Sequence, residues 1–248
     1  IDGAMAKSVG HFEDRPGQRD LAVQVANAIN DNEIAAFEAG TGIGKSFAYL
    51  VPAILWAVQN NSRVIISTAT IALQEQLLAK DLPALKRVLP VDFRYSLLKG
   101  RGNYACRRKT QEVGLQTSLF AENEEQLAWI SDLLEKIPDL KTGSYSELNE
   151  TPPADVWAHF NSSSDQSLKT KCPHYRDCFY YESRRKAARA HIIVVNHHLF
   201  FTDLAVRALL GVYDQDMVLP SYKRVIFDEA HRLEGVAAEH FGSQLSRL

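Results

Sequence analysis

Three groups of residues have types and spacings that can do chemistry. The first lies in Ile34–Leu50, IAAFEAGTGIGKSFAYL, where glycines precede a Lys-Ser pair. Glycines let successive backbone N–H groups converge on phosphate oxygens, and a helix starting just after them adds a favourable dipole. On that chemistry Lys45 reaches the outer phosphates of a nucleoside triphosphate and the Ser46 hydroxyl ligates magnesium. The strict spacing G-x-x-x-x-G-K-[ST] fails at its first position, Ala39, but A-x-x-G-x-G-K-[ST] fits through Ala39, Gly42, Gly44, Lys45 and Ser46. A glycine turn with a chance lysine is the plainer alternative.

The second group is Arg224–Glu234, RVIFDEAHRLE, an apolar run ending in two adjacent carboxylates. Magnesium prefers oxygen ligands and keeps several waters. Asp228 is therefore expected to hold the ion through water, and Glu229 to orient or deprotonate an attacking water. By itself an acidic pair after a strand is a helix-start signal; with the glycine loop upstream, ATP hydrolysis is the better reading. The third group is the cysteines, Cys106, Cys172 and Cys178, three in all. Structural zinc takes four ligands, a disulfide two, and iron-sulfur clusters usually four cysteines, so three is an odd number for each.

These groups need a scaffold. Short β-branched runs at Ile34–Phe37, Val64–Ser67, Phe93–Leu98, Ile192–Asn196 and Val225–Asp228 read as buried strands. Helical patterns such as Leu21–Ile29 and Ile71–Lys80 separate several of them, which is the alternation of a parallel sheet with crossover helices. From about residue 100 to 190 the alternation stops; an amphipathic stretch, Glu124–Ile137, a turn-rich segment and two cysteines lie there before strands resume. A segment of different character between strands of one sheet reads as an insertion. The 248 residues and 46% hydrophobic content suit one large α/β domain carrying such an insert. The longest apolar run, Ala48–Val58, is too short and too broken by Pro52 to span a bilayer. Few, widely spaced cysteines argue for a reducing compartment, and no signal peptide is read, so the expected location is cytoplasmic with no membrane contact.

A net charge of -2 does not advertise a nucleic-acid binder. The charge is segregated, however: Lys99–Lys109 holds five basic residues and no acid, and Arg184–Arg189 adds four more. Solvated surface is the plain reading of such runs. Because they flank the insert they are expected to come together, and with Tyr104, Tyr180 and Tyr181 between them they suit a single strand of DNA, whose phosphates meet cations and whose bases stack on rings. The tyrosines could equally be core of the small domain.

DEAH after a strand, together with AGTGIGKS, resembles the first motor domain of superfamily 2 helicases. Four further stretches, RPGQ with Gln18, STATIALQEQL from Ser67, LLKGRGNYAC and IIVVNHHLF, narrow the resemblance to the DinG/YoaA branch of the XPD-like DNA helicases. The resemblance implies an ATP-dependent, 5′-to-3′ DNA helicase with a RecA-like P-loop domain, residues 1–99 and 190–248, interrupted by a small, mainly helical iron-sulfur domain, residues 100–189. By position, Gln18 would contact adenine, and Ala39, Gly40, Thr41, Gly42, Ile43, Gly44, Lys45 and Ser46 would bind the phosphates. Asp228 and Glu229 would serve magnesium and water, and His231 would couple hydrolysis to DNA. Thr68 and Thr70 would touch the DNA backbone; the basic runs themselves add Arg101, Arg107, Arg108, Arg184 and Arg185 as candidate phosphate contacts and Tyr104 as a candidate base contact.

The resemblance also accounts for the cysteines. Its pattern has a first cysteine after GRxNYxC, here Cys106, and three more as C-x4-C-x5-C, whereas this sequence reads S-x4-C-x5-C with Ser167 in place of a cysteine. Serine is a harder and poorer ligand for iron than thiolate. The site is thus expected to hold a labile 4Fe-4S cluster with water, Ser167 or His174 at the fourth iron, or a 3Fe-4S cluster; zinc on the cysteines and His174, or no metal, are the alternatives. The chain begins at Ile1 rather than Met and ends soon after DEAHRLE, so a longer parent is expected, with a second motor domain and an arch outside this chain. The isolated chain is accordingly expected to be a monomer that does not unwind DNA. A non-catalytic module binding single-stranded DNA, and a P-loop ATPase acting on another polymer, are the competing functions.

Overall fold

The computed structural model describes residues 15–40 and 42–242. The chain divides into two compact units, Ile1–Leu98 with Ala187–Leu248, and Lys99–Lys186.

The first unit is built on four strands, β1 (Val64–Thr68), β2 (Tyr95–Leu97), β3 (Ile192–Asn196) and β4 (Arg224–Phe227). They pair in the order β2-β3-β1-β4, all parallel. Side chains alternate across the sheet: Val64, Ile66, Ile192 and Val194 enter one core, and Ile65, Ile193 and Val195 enter the other. The first core is closed by α1 (Pro16–Asp31) and α2 (Lys45–Gln59), the second by α9 (His197–Leu210). Both faces are thus covered, as a parallel sheet requires. α2 buries residues on every side, Tyr49, Leu50, Val51, Pro52, Ala53 and Ile54 among them, which is why its sequence carries no polar stripe.

The stretch Ile71–Lys80, read as one helix, falls in two pieces, α3 (Ile71–Gln76) and a π turn over Leu77–Asp81, which runs on into α4 (Leu82–Val88). Pro83 lies near the start of α4, and a proline ring excludes the carbonyl four residues back, which favours a wider turn there. A second difference is larger. Ile34–Phe37 is not a strand: residues 33–40 form no regular structure, with Ile34 106% and Phe37 41% exposed. An apolar extended run becomes a strand only where a neighbour pairs its peptide groups, and among the described residues none does so here. β4 is the edge of the sheet on its outer side.

The second unit is mainly helical, with α5 (Arg107–Leu115), α6 (Glu124–Lys136), α7 (Ala154–Phe160) and most of α8 (Phe179–Ala188). Its core gathers Tyr104, Val113, Ile130, Leu133, Trp157, Phe160 and Phe179. The chain entering it is fixed by two isolated antiparallel bridges, Tyr104 with Ser144 and Ala105 with Asn161. Gly143, at φ 74°, faces the Phe179 ring so closely that a Cβ would stand 2.1 Å from it, so glycine is required there. Among the described residues no helix is long and apolar enough to cross a membrane.

Candidate functional site

Parallel pairing sets the carboxyl ends of β1, β3 and β4 side by side: Thr68 is opposite Asn196, and Ser67 is opposite Phe227. The residues that follow these ends, where ligands of open α/β sheets bind, are therefore neighbours. The glycine loop enters α2 at the same edge. Gly44, at φ 85°, is the N-cap of α2, and a Cβ on it would meet the Gln18 side chain at 2.0 Å. Gly42 also has positive φ. The loop is held from α1: Arg15 donates to the Gly42 carbonyl, and Gln18 Nε2 donates to the Gly44 carbonyl at 3.0 Å. Thr41 lies outside the described residues.

The loop and the acidic turn meet. Lys45 Nζ stands 3.9 Å from Glu229 Oε1. The Tyr49 hydroxyl, from the first turns of α2, donates to Asp228 Oδ2 at 3.0 Å. Burial first, and then the Asp228 charge, push the Tyr49 phenol well above its ordinary range, so it stays a donor. Asp228 Oδ1 accepts from the Glu229 N–H at 3.1 Å, and the Asp228 N–H donates to the Ser67 carbonyl at 2.9 Å. Glu229 itself is in the left-handed region, φ 58° and ψ 47°, a conformation that costs a non-glycine residue about 1–2 kcal/mol. His231 is exposed, with Nδ1 3.5 Å from Glu229 Oε2.

A third carboxylate joins them. Asp81, 3% exposed at the end of the π turn, accepts from Gln76 and interacts with Ser46; burial raises its pKa while those hydrogen bonds oppose the rise. Ser46 and Asp228, the residues expected to serve magnesium, both interact with Tyr49, and each offers the oxygen donors that ion prefers. Thr70 caps α3 by accepting from Leu73 N–H at 3.3 Å, and Thr68 Oγ1 donates to the Thr70 carbonyl at 3.4 Å. Both lie at the carboxyl end of β1, on the same edge as the acidic turn.

In the second unit, Cys106, Ser167, Cys172 and Cys178 line one cavity with Tyr181, among Arg101, Arg108, Lys109 and Lys169. Ser167 Oγ is 3.5 Å from the Tyr181 hydroxyl. A cluster held here would have three thiolate ligands, Cys106, Cys172 and Cys178, and one poorer oxygen donor, Ser167. The cavity is about 30 Å³, so a cluster would have to spread these side chains. Among the described residues no three His, Cys, Asp or Glu side chains converge on one metal ion. His174 is engaged elsewhere, 3.0 Å from Gln111 Oε1.

The basic residues read as DNA contacts have partners inside the unit. Arg101 stacks over Tyr180 at 3.9 Å, and Arg107 lies over Phe179 at 4.1 Å while donating to the Asp177 carbonyl. Arg108 pairs with Glu112, and Arg185 donates to the Arg176 carbonyl at 2.7 Å. Arg184 lies 5.9 Å from the Tyr180 ring. Of the two readings of Tyr104, base contact and core, the structure has the core and corrects the base contact: it is 2% exposed, and its hydroxyl accepts from Lys99 N–H at 3.1 Å. Its aromatic area is already taken up in the core.

A family model, DEAD_2, matches residues 78–248, which include the acidic turn and all three cysteines. The chain belongs to the DEAD_2 family. This DEAD_2 chain is 36% identical over 99% of its length to the ATP-dependent DNA helicase YoaA of Haemophilus influenzae, and 36% identical over the same share to YoaA of Escherichia coli. It is 33% identical over 98% of its length to the ATP-dependent DNA helicase DinG of Photobacterium profundum. It spans 37%, 37% and 36% of those relatives, about a third of each. The glycine loop precedes the matched family segment, so that part of the site rests on geometry and on the relatives.

Two residues beside the loop and the acidic turn carried no signal in the sequence: Tyr49, against Asp228, looks like helix core, and Asp81, against Ser46, like a solvated charge.

Proposed function

We propose that this chain is the ATP-binding motor domain and DNA-binding insert of an ATP-dependent DNA helicase of the DinG/YoaA type, moving 5′ to 3′ on single-stranded DNA. The observation that carries the reading is the approach of Lys45 to Glu229 at 3.9 Å, beside Asp228, at the carboxyl edge of the sheet. The names of the relatives support the same activity.

ATP would lie with its phosphates on the loop of Ala39, Gly40, Thr41, Gly42, Ile43 and Gly44, with Gln18 near the adenine. Lys45 neutralises charge on the outer phosphates. Ser46 and Asp228 would hold magnesium, which supplies further charge neutralisation on the phosphates. Glu229 orients the attacking water and draws its proton, and Tyr49 keeps the Asp228 carboxylate in place. The exposed His231, in contact with Glu229, would report DNA engagement to the turn. Thr68 and Thr70 would meet the DNA backbone. In the second unit Cys106, Cys172 and Cys178, with Ser167 at the fourth position, would hold an iron-sulfur cluster, which would cross-link segments far apart in sequence.

The test is ATP hydrolysis by this chain with oligothymidylate, duplex DNA or polyuridylate, beside Lys45→Ala. Hydrolysis raised by the single strand of DNA and lost in the variant is the expected result. Stimulation by RNA alone would move the function to another polymer. Iron and acid-labile sulfide, measured after anaerobic purification of this chain and of Ser167→Cys, test the cluster; more of both in the variant is expected, and none in either would remove it.

A further inference from the structure

His197 opens α9 immediately after β3, and it is a titratable side chain that the mechanism above leaves unused. It is 1% exposed. Its Nδ1 lies 2.7 Å from Ser67 Oγ, and the buried Nε2 has no well-aligned hydrogen bond among the described residues, while the backbone of Asp228 and Glu229 interacts with the ring. Buried polar groups are nearly always paired, so a ring nitrogen without an aligned partner asks for a reason.

The surroundings supply one. The ring lies 6.1 Å from the Phe227 ring, the last residue of β4. The backbone of Asp228 and of Glu229, and the Asp228 charge, all act on the ring. The acidic turn is therefore what faces His197. Ser67, which holds the other nitrogen, also accepts the Asp228 N–H through its carbonyl at 2.9 Å. One serine at the end of β1 thus grips both the histidine and the turn. The turn contains Glu229 in its left-handed conformation, which persists only where surroundings fix it.

We propose that His197 is a positioning residue that ties the Asp228–Glu229 turn to the Ser67–Thr70 end of β1, so that ATP and single-stranded DNA favour each other's binding. With Nδ1 fixed by Ser67, the ring is held against the backbone of Asp228 and Glu229, so a shift of the turn on nucleotide binding alters that buried contact. The shift draws on the same strand end that carries Thr68 and Thr70. The inference rests on the proposed function for the assignment of DNA to those threonines.

The experiment measures binding of a fluorescent ATP analogue with magnesium to the full chain, with and without oligothymidylate, beside Ser67→Ala and His197→Asn. In the unmodified chain oligothymidylate is expected to tighten nucleotide binding about fivefold or more, the low end of ordinary coupling between sites. Both variants should bring that factor within about twofold of one, while nucleotide affinity without DNA changes by less than about twofold, a pattern lost packing alone would not give. Ser67→Ala is a small change that keeps the test open should His197→Asn fold poorly. A factor of one in the unmodified chain, or an unchanged factor in Ser67→Ala, overturns the proposal while ATP binding and DNA binding stand. Absence of binding to both nucleotide and oligothymidylate would instead overturn the function itself.

Discussion

Arg207→Met tests how firmly the fold sets the acidic turn. Arg207 and Asp203, 2% and 0% exposed, form an ion pair at 2.6 Å within α9. The guanidinium also donates to the carbonyls of Tyr213, Gln215 and Leu219, and Asp203 accepts from Leu219 N–H at 2.7 Å and from the Tyr222 hydroxyl at 3.3 Å. The pair therefore pins the connection from α9 to β4, and with it the position at which Asp228 emerges. Removing only the cation leaves a buried carboxylate with two neutral donors, a change that costs about 3–5 kcal/mol. At about 2–4 °C per kcal/mol for a unit of this size, the thermal midpoint should fall by roughly 6–20 °C. Asp203→Leu with Arg207→Met removes both charges, and the freed carbonyls of Tyr213 and Gln215 belong to exposed residues that water can reach. The double variant should accordingly lose less than Arg207→Met alone. Denaturant unfolding of the unmodified chain, of Arg207→Met, of Asp203→Leu and of the double variant, followed by circular dichroism and tryptophan fluorescence, gives the cycle. A single-variant loss below about 1 kcal/mol, or a double loss equal to the sum of the singles, would refute this reasoning.

Tyr49→Phe removes a hydrogen bond to a charged group without changing shape, and should cost about 1.5–3 kcal/mol in unfolding free energy at neutral pH; in an Asp228→Asn background the same change should cost clearly less. Glu229→Gly should raise unfolding free energy by about 1 kcal/mol, by relieving the left-handed backbone, while abolishing ATP hydrolysis; a variant that is both less stable and active would contradict the role of that residue. Burial first, and then the Asp203 charge, raise the Tyr222 phenol to about 12. Since an unfolded tyrosine loses its proton near 10, the native chain holds the extra proton between about pH 10 and 12, and stability falls as pH rises through that window. Tyr222→Phe should make the fall shallower, read from unfolding midpoints at pH 9 and 11; an unchanged slope would count against it.

Much of this was legible in the sequence for physical reasons. The β-branched runs at β1, β3 and β4 locate strands to within a residue or two because a strand buried on both faces needs continuous apolar side chains. The loop and the acidic turn stand out in the sequence because phosphate and magnesium chemistry would admit few residue types there, and the structure brings the two together at Lys45 and Glu229. Ile34–Phe37 misled because an apolar run states that a segment wants burial, not that a partner strand stands beside it. Tyr104 misled because an aromatic residue among cations has the same local sequence whether it stacks on a ligand or fills a core; only the Lys99 N–H on its hydroxyl decides. Tyr49 and Asp81 were silent because their partners lie 179 and 35 residues away in sequence, at Asp228 and Ser46.

The central claim is that the carboxyl edge of the sheet is an ATP site worked by Lys45 against Asp228 and Glu229. Equilibrium binding of a fluorescent ATP analogue to this chain, with magnesium or with a chelator, beside Lys45→Ala, tests it most directly. Magnesium-dependent binding weakened about tenfold or more in the variant, equivalent to about 1.4 kcal/mol, is the predicted result. Equal affinity in the chain and in Lys45→Ala would contradict it.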